Sequence, residues 1–272
     1  MSVPSPSVPR PEHRRSLRER LVSREPARSI LSAWSWFTFG VLVVVWLPLM
    51  TAVWLVTAPF DNGRYRTGYL FRKLPVVHSY INPFWKFRVS GSLPSDPRRP
   101  YVVVSNHESF VDILLISHLP FEMKWLSKAE MFKIPVVGWL MSLANDIRLS
   151  RGEISSASDA MKQCADRLSK KVSVLIFAEG TRSTTGELGK FKNGAFRLAI
   201  ETGCPILPVA VHGCRSALRP KDWRMGFSTA EVRVLEPIEV EGLTNRDMYA
   251  LRDKARNAIA AEIEVLRAEL DT

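Results

Sequence analysis

An α/β domain with a mostly parallel sheet covered by helices, preceded by an N-terminal membrane-embedded helical segment, is the fold class this sequence predicts. Three observations predict it. From residue 61 onward, short apolar runs alternate with longer stretches of helical periodicity, the pattern of strands joined by crossover helices. The thirty-two residues from Ser29 to Phe60 carry no charged side chain at all. Several apolar runs end in polar clusters, the place where open α/β sheets bind ligands.

The chain begins with Met1 to Arg28, rich in Pro, Ser and Arg, where seven arginines face three glutamates. This reads as a disordered basic tail, suited to anionic headgroups or simply to solvent. Ser29 to Phe60 follows. As one helix it would extend about 48 Å against a hydrocarbon core of roughly 30 Å. Pro48 lies past its middle, where proline kinks or breaks a helix. Arg24 and Arg28 precede it, and Arg64, Arg66, Arg72 and Lys73 follow. Positive residues on both flanks place both on the cytoplasmic side. The segment 29–60 is therefore expected to be a re-entrant hairpin turning near Trp46–Pro48, with a single tilted span as the rival. Trp34, Trp36, Trp46 and Trp54 suit interfacial depth. A cleaved signal peptide fits poorly, because the apolar stretch is about twice the usual length.

Residues 61–272 read as one domain. Strands are expected at Trp85–Val89, Tyr101–Val104, Val172–Phe177, Ile206–Val211 and Ala230–Val234. Helices are expected at Val111–Ser117, Ile134–Ala144, Ser155–Lys170, Gly194–Thr202 and Thr244–Leu270. Leu251, Ala255, Ile259, Ile263 and Leu266 recur at helical spacing in the last of these, a core-facing stripe.

Composition narrows the partners. The 272 residues carry a formal net charge of +11 with a pI near 9.9, which favours anionic lipid, a phosphorylated substrate or nucleic acid. No helix-turn-helix, zinc-finger or RNA-recognition signature is present, so no nucleic-acid partner is expected. Cys164, Cys204 and Cys214 form no C-x-x-C pair, and an odd count fits a reducing compartment. Five scattered histidines without H-E-x-x-H argue against a metal. The chain has no N-glycosylation sequon either, consistent with a cytosolic face.

Two clusters carry chemistry. Asn106-His107-Glu108-Ser109-Phe110-Val111-Asp112 follows the Tyr101–Val104 run. A histidine five residues before a carboxylate at a strand exit can be a general base and its orienter. Five residues on an ideal helix turn through roughly 500°, so the side chains meet only if His107 sits in the loop and Asp112 on the first turn. A capping histidine with a surface aspartate is the plainer alternative. Ala178-Glu179-Gly180-Thr181-Arg182-Ser183 follows the Val172–Phe177 run. Gly180 lets backbone approach a ligand, Arg182 offers a planar fork for phosphate, and Thr181 and Ser183 add hydroxyls. The plainer alternative here is a β-turn with a surface arginine. A further stretch, Lys128 to Trp139, sets aromatics and glycine beside two lysines.

In this order, these clusters resemble the lysophospholipid and glycerolipid acyltransferases, bacterial 1-acyl-sn-glycerol-3-phosphate acyltransferases in particular. The family's N-H-x-x-x-x-D box matches Asn106, His107 and Asp112. Its E-G-T-R-S box matches Glu179 to Ser183 in full, and its late proline box matches Pro205 and Pro208. Its K-x-E-L-x-x-x-P-x-x-G-W stretch resembles Lys128 to Trp139. The second box departs: where the family reads G-x-x-F-I-x-R, this chain has Asn145 to Arg151, keeping the arginine but lacking the glycine and the aromatic.

The resemblance implies a glycerolipid acyltransferase-like fold and an O-acyl transfer to the free hydroxyl of 1-acyl-sn-glycerol-3-phosphate, giving phosphatidic acid for phospholipid biosynthesis. It implies His107 as base, Asp112 as its orienter, and Lys128, Arg151, Glu179, Gly180, Thr181, Arg182 and Ser183 around the acceptor phosphate. The donor would be acyl-CoA or acyl carrier protein, as co-substrate; no cofactor and no metal are implied. No covalent acyl-enzyme is suggested, since G-x-S-x-G is absent. Expected partners are a lysophosphatidic acid acceptor, the thioester donor and an anionic membrane surface, at the cytoplasmic (inner) membrane with the catalytic domain facing the cytoplasm. The rivals are transfer to another lysolipid such as lyso-ornithine lipid, and a non-catalytic protein binding anionic lipid.

Overall fold

The computed structural model describes residues 25–150, 152, 154–183, 185–219 and 221–270. Most of the tail expected over Met1–Arg28 lies outside them.

Helix α1 runs unbroken from Glu25 to Thr57, through Pro48. The turn expected near Trp46–Pro48 is absent, and the chain reverses instead between Thr57 and Tyr65, where α2 (Tyr65–Ile81) begins. The physical reason is packing on both sides of the proline. Val43, Trp46 and Met50 all bury against Leu74 of α2 and Leu140, and Trp46 Nε1–H donates to Leu70 O at 2.8 Å. An interior proline costs about 3 kcal/mol, less than three large side chains gain by leaving water. Asp61 starts α2: its two carboxylate oxygens accept the N–H groups of Tyr65 at 2.9 Å and Arg66 at 2.8 Å, filling donors that a helix start leaves unmet. The other face of α1 is apolar and exposed, with Ile30, Phe37, Val44, Leu55 and Val56 each more than half accessible. By length and composition α1 is a candidate membrane segment.

The domain that follows contains strands β1 (Trp85–Gly91), β2 (Val102–Ser105), β3 (Met123–Lys128), β4 (Ile147–Leu149), β5 (Ser173–Phe177), β6 (Ile206–His212) and β7 (Ser228–Val234). Among them lie helices α3 (Asp112–Ile116), α4 (Val137–Leu143), α5 (Ile154–Ser169), α6 (Gly194–Thr202) and α7 (Met248–Leu270). One sheet runs in the order β1-β7-β6-β2-β5-β3-β4. Every neighbouring pair is parallel except β6–β7, so the sheet is mostly parallel, as expected.

Its central strands are buried on both faces, which is why they read as continuous apolar runs. Val102 and Val104 point to the layer of α5, α6 and α7, whereas Val103 points to the opposite layer with Leu114 and Leu115 of α3. The stripe Leu251, Ala255, Ile259, Ile263 and Leu266 of α7 is buried in the first layer.

Between α2 and the sheet lies a buried cluster of charges. Lys124 Nζ donates to Glu122 Oε1 at 2.8 Å and to the Arg64 carbonyl at 2.8 Å, while Arg72 pairs with Asp146 and approaches Glu122 at 3.6 Å. Gly68 makes room for it: a Cβ there would lie 2.0 Å from Glu122 Oε1. The cluster ties α2, and through it α1, to the start of β3.

Candidate active site

The carboxyl ends of β6, β2, β5 and β3 lie side by side in the sheet, so the residues just beyond them share one edge. Asn106 closes the gap between the first two. Its amide copies a backbone pair, donating to Val211 O at 2.8 Å and accepting from Val211 N–H at 2.9 Å. His107 therefore leaves β2 on a fixed backbone.

His107 lies in the loop and Asp112 is the first residue of α3, the one arrangement that lets a pair five residues apart meet. The His107 Nδ1–Asp112 Oδ2 distance is 2.7 Å. The same Oδ2 accepts the N–H groups of Glu108 at 2.7 Å and Ser109 at 2.9 Å. Asp112 is fully buried, which removes the reading of a surface aspartate. With Nδ1 bound to the carboxylate, Nε2 is the nitrogen left to face a substrate proton.

The Glu179–Ser183 turn wraps this loop. Glu179 Oε1 accepts the His107 N–H at 2.9 Å, and its Oε2 accepts the Gly189 N–H at 2.9 Å. The Ser183 N–H donates to the His107 carbonyl at 2.8 Å. Both backbone groups of His107 are thus held by the second cluster. Glu179 acts here as a clamp between two segments, with both oxygens engaged. Gly180 sits at φ 73°, a conformation that favours glycine, and a Cβ there would meet Lys192 Nζ at 2.7 Å. Thr181, Arg182 and Lys192 are exposed. Lys128, at the end of β3, is also exposed and lies 3.2 Å from Glu130. Arg151 falls outside the described residues.

Three further residues join the site. The Phe177 ring stacks on the His107 imidazole, with centroids 3.9 Å apart and planes 15° from parallel. Lys192 leans over Gly180. His212 ends β6 and lies 3.3 Å from Glu108; burial raises the Glu108 pKa against the opposing pull of His212. His212 obeys the rule that picks out His107, a histidine at the carboxyl end of a buried strand, and is legible by it. Cys214, fully buried nearby, has its thiol pushed well up by burial, with Asp112 and Glu108 adding to the effect, so it offers no thiolate nucleophile.

The second box is explained in part. Asn145 stands where the family carries glycine and adopts φ 64°, a left-handed conformation asparagine tolerates. Arg148 stands where the aromatic is expected and stacks on Phe132, 4.6 Å from its centroid.

Residues 86–212 match a family model described as Acyltransferase. The chain is 36% identical over 229 residues to a chloroplastic 1-acyl-sn-glycerol-3-phosphate acyltransferase of Brassica napus, covering 84% of this chain and 65% of that protein. It is also 36% identical to a chloroplastic counterpart from Arabidopsis thaliana, where it spans 57% of the relative's length. These plant proteins are thus longer than the region they share with this chain. To the human 1-acyl-sn-glycerol-3-phosphate acyltransferase alpha it is 35% identical over 213 residues, 78% of this chain and 75% of the human one. The crystal structure of the 1-acyl-sn-glycerophosphate acyltransferase of Thermotoga maritima superimposes with a TM-score of 0.76 at 25% identity, covering 90% of this chain and 98% of that one.

Proposed function

This chain belongs to the acyltransferase family, and on that premise we propose that it transfers a fatty acyl group from a thioester, acyl-CoA or acyl carrier protein, to the free hydroxyl of 1-acyl-sn-glycerol-3-phosphate, yielding phosphatidic acid. The observation that carries this reading is the His107–Asp112 pair, held at 2.7 Å on a backbone that the Glu179–Ser183 turn grips from both sides.

The chemistry follows from the geometry. Asp112 keeps the proton of His107 on Nδ1, so Nε2 takes the proton of the acceptor hydroxyl. The alkoxide oxygen bonds to the thioester carbonyl carbon. The tetrahedral adduct then collapses, the C–S bond breaks, and the imidazolium returns its proton to the departing thiolate. Asp112 supports that imidazolium by charge and orientation. On the family likeness, Arg182, Lys128 and Arg151 would meet the acceptor phosphate, and Lys192, leaning over Gly180, adds a cation at the Glu179–Ser183 turn. Cations here offset the acceptor's charge and hold its hydroxyl near the histidine. Glu179 contributes by positioning His107. A small apolar crevice lined by Trp36, Phe39, His78, Trp85, Phe110 and Val111 adjoins the catalytic loop.

The exposed apolar face of α1 and the basic residues around it support a site working at the cytoplasmic surface of a membrane. An acceptor resident in the bilayer and a donor arriving from the aqueous phase then meet at the same edge.

The test is thiol release from an acyl-CoA by the purified full-length protein, with and without lysophosphatidic acid, beside His107→Ala. Release that requires the acceptor and is lost in the variant is expected. Release by His107→Ala at the wild-type rate would remove the histidine from the mechanism. Release with another lysolipid alone would transfer the reading to that acceptor.

A further inference from the structure

The segment joining β3 to α4, together with the first turn of α4, presents an apolar tip that the catalytic reading leaves unused. Ile134 and Trp139 are 43% and 58% exposed, and Pro135 between them is exposed as well. Val136 and Val137 turn the other way, onto the cluster of Val43, Trp46, Met50 and Leu140. A single sharp turn separates the two directions. The Val137 N–H donates to Pro135 O at 2.7 Å, with Val136 at φ 63° and ψ −53°. That is a γ-turn in its strained, positive-φ form, centred on a β-branched residue. Gly138 lets the turn close, since a Cβ there would lie 2.0 Å from the Phe132 carbonyl oxygen. Strained backbone persists only where its surroundings over-determine it. Here the packing of Val136 and Val137 on α1 holds Ile134 and Pro135 outward.

The tip is seated on the face of α1 that carries Val43, Trp46 and Met50, and elsewhere around its circumference the same stretch of α1 exposes Val41, Val44, Val45 and Leu49. Its base is cationic: Lys133 is exposed, and Arg148 stacks on Phe132. Aliphatic residues, an exposed tryptophan and adjoining cations are the composition of an interfacial anchor, with indole at headgroup depth and cations on lipid phosphates. Geometry gives this anchor a purpose. One helix lying on a surface leaves rotation about its own axis free, whereas a second contact off that axis removes the freedom.

We propose that the Ile134–Trp139 turn is a second bilayer contact, an interfacial wedge that with the outer face of α1 fixes how the strand-end edge bearing His107 meets an anionic lipid surface. The proposal rests on the membrane reading of α1, and the experiment separates the two. Cys164, Cys204 and Cys214 are buried, so a cysteine introduced on the surface takes an environment-sensitive nitrobenzoxadiazole label selectively. Full-length Trp139→Cys and Ile134→Cys are labelled, with Val45→Cys as the probe of α1. Each is mixed with vesicles of phosphatidylglycerol and phosphatidylcholine. Blue-shifted emission quenched by doxyl lipids at all three positions is the expected result. A probe at position 45 in lipid with positions 134 and 139 in water overturns the proposal and leaves the reading of α1 standing. All three in water overturns both. Concentration-dependent self-quenching at position 139 without vesicles assigns the tip to a second copy of the chain and also overturns it. Activity gives a second readout. Ile134→Ser/Trp139→Ser is expected to lose several-fold in rate on a long-chain acceptor in vesicles and to keep its rate on a water-soluble short-chain acceptor. Equal loss on both would mean a structural role.

Discussion

Phe177 lies flat against His107, ring on ring at 3.9 Å, while Asp112 holds the same imidazole from its edge at Nδ1. The carboxylate fixes one in-plane direction and the phenyl ring fixes the plane. Behind Phe177, Trp125 meets it edge-on at 6.4 Å, and Arg72 of the buried charge cluster lies 4.9 Å over the Trp125 ring. Phe177→Leu should keep the fold and lower kcat by up to about tenfold, matching the ~1.5 kcal/mol upper end for an aromatic pair. Phe177→Tyr should retain most of the rate. Steady-state kinetics of the two variants decides this; equal rates for wild type and Phe177→Leu would leave the stack without a catalytic role.

Asp112→Asn keeps the shape of the side chain and offers the wrong hydrogen-bonding partner to Nδ1. On the precedent of other carboxylate–histidine pairs, kcat should fall by about 10³–10⁴. Single-turnover rates measured with saturating donor and acceptor test it, and a loss under tenfold would mean that the carboxylate only caps the loop.

Glu179 offers a contrast between clamping and substrate binding. Glu179→Gln leaves one of two backbone N–H groups, those of His107 and Gly189, without a good acceptor, which costs about 1–3 kcal/mol of stability. A fall in kcat and in denaturant midpoint with an unchanged acceptor KM is expected. An acceptor KM that rises alone would place Glu179 on the substrate.

Lys124 and Glu122 are fully buried together. Lys124→Met removes the cation nearest to the Glu122 carboxylate and should destabilise by about 3–5 kcal/mol. Lys124→Met/Glu122→Leu should recover much of that loss, because a buried ion pair is often matched by well-packed apolar residues. Urea denaturation of the single and double variants measures the difference. A double variant no more stable than the single would mean that the pair itself is needed by its Arg72 and Asp146 neighbours.

Burial lowers the His118 pKa below its usual 6.5, against the opposing hydrogen bonds to the Leu114 and Leu115 carbonyls. The folded value lies below the unfolded one, so the folded state favours the neutral ring. This contribution is present above about pH 6.5 and is lost as pH falls through the folded value. His118→Gln should therefore flatten the loss of stability on acidification. Denaturant midpoints of both proteins across that range test the point, and parallel curves would exclude His118 as a contributor.

What could be read in the chain depended on how local the cause was. His107 and Asp112 were legible because the loop-to-helix geometry of a five-residue spacing is set by neighbouring residues. The central strands were legible because burial on both faces writes an uninterrupted apolar run. β3 was not, because Lys124 is a charged side chain buried within it and breaks the apolar run. The continuity of α1 through Pro48 was hidden for a similar reason: the helix is held by Leu74 and Leu140, which lie far along the chain. The stacking of Phe177 on His107 joins two strand ends that become neighbours only when β2 pairs with β5.

The amide of Asn106 reaches across 105 residues of sequence to Val211. During synthesis α1 leaves the ribosome well before β6, the strand that fixes the loop of His107. A nascent chain that stops short of β6 already carries its apolar helix and its histidine but lacks the pairing that seats the loop. The seating of His107 is thus completed only when β6 is present, and a chain cut short before it would hold the histidine on a loop with no Val211 to grip its neighbour Asn106.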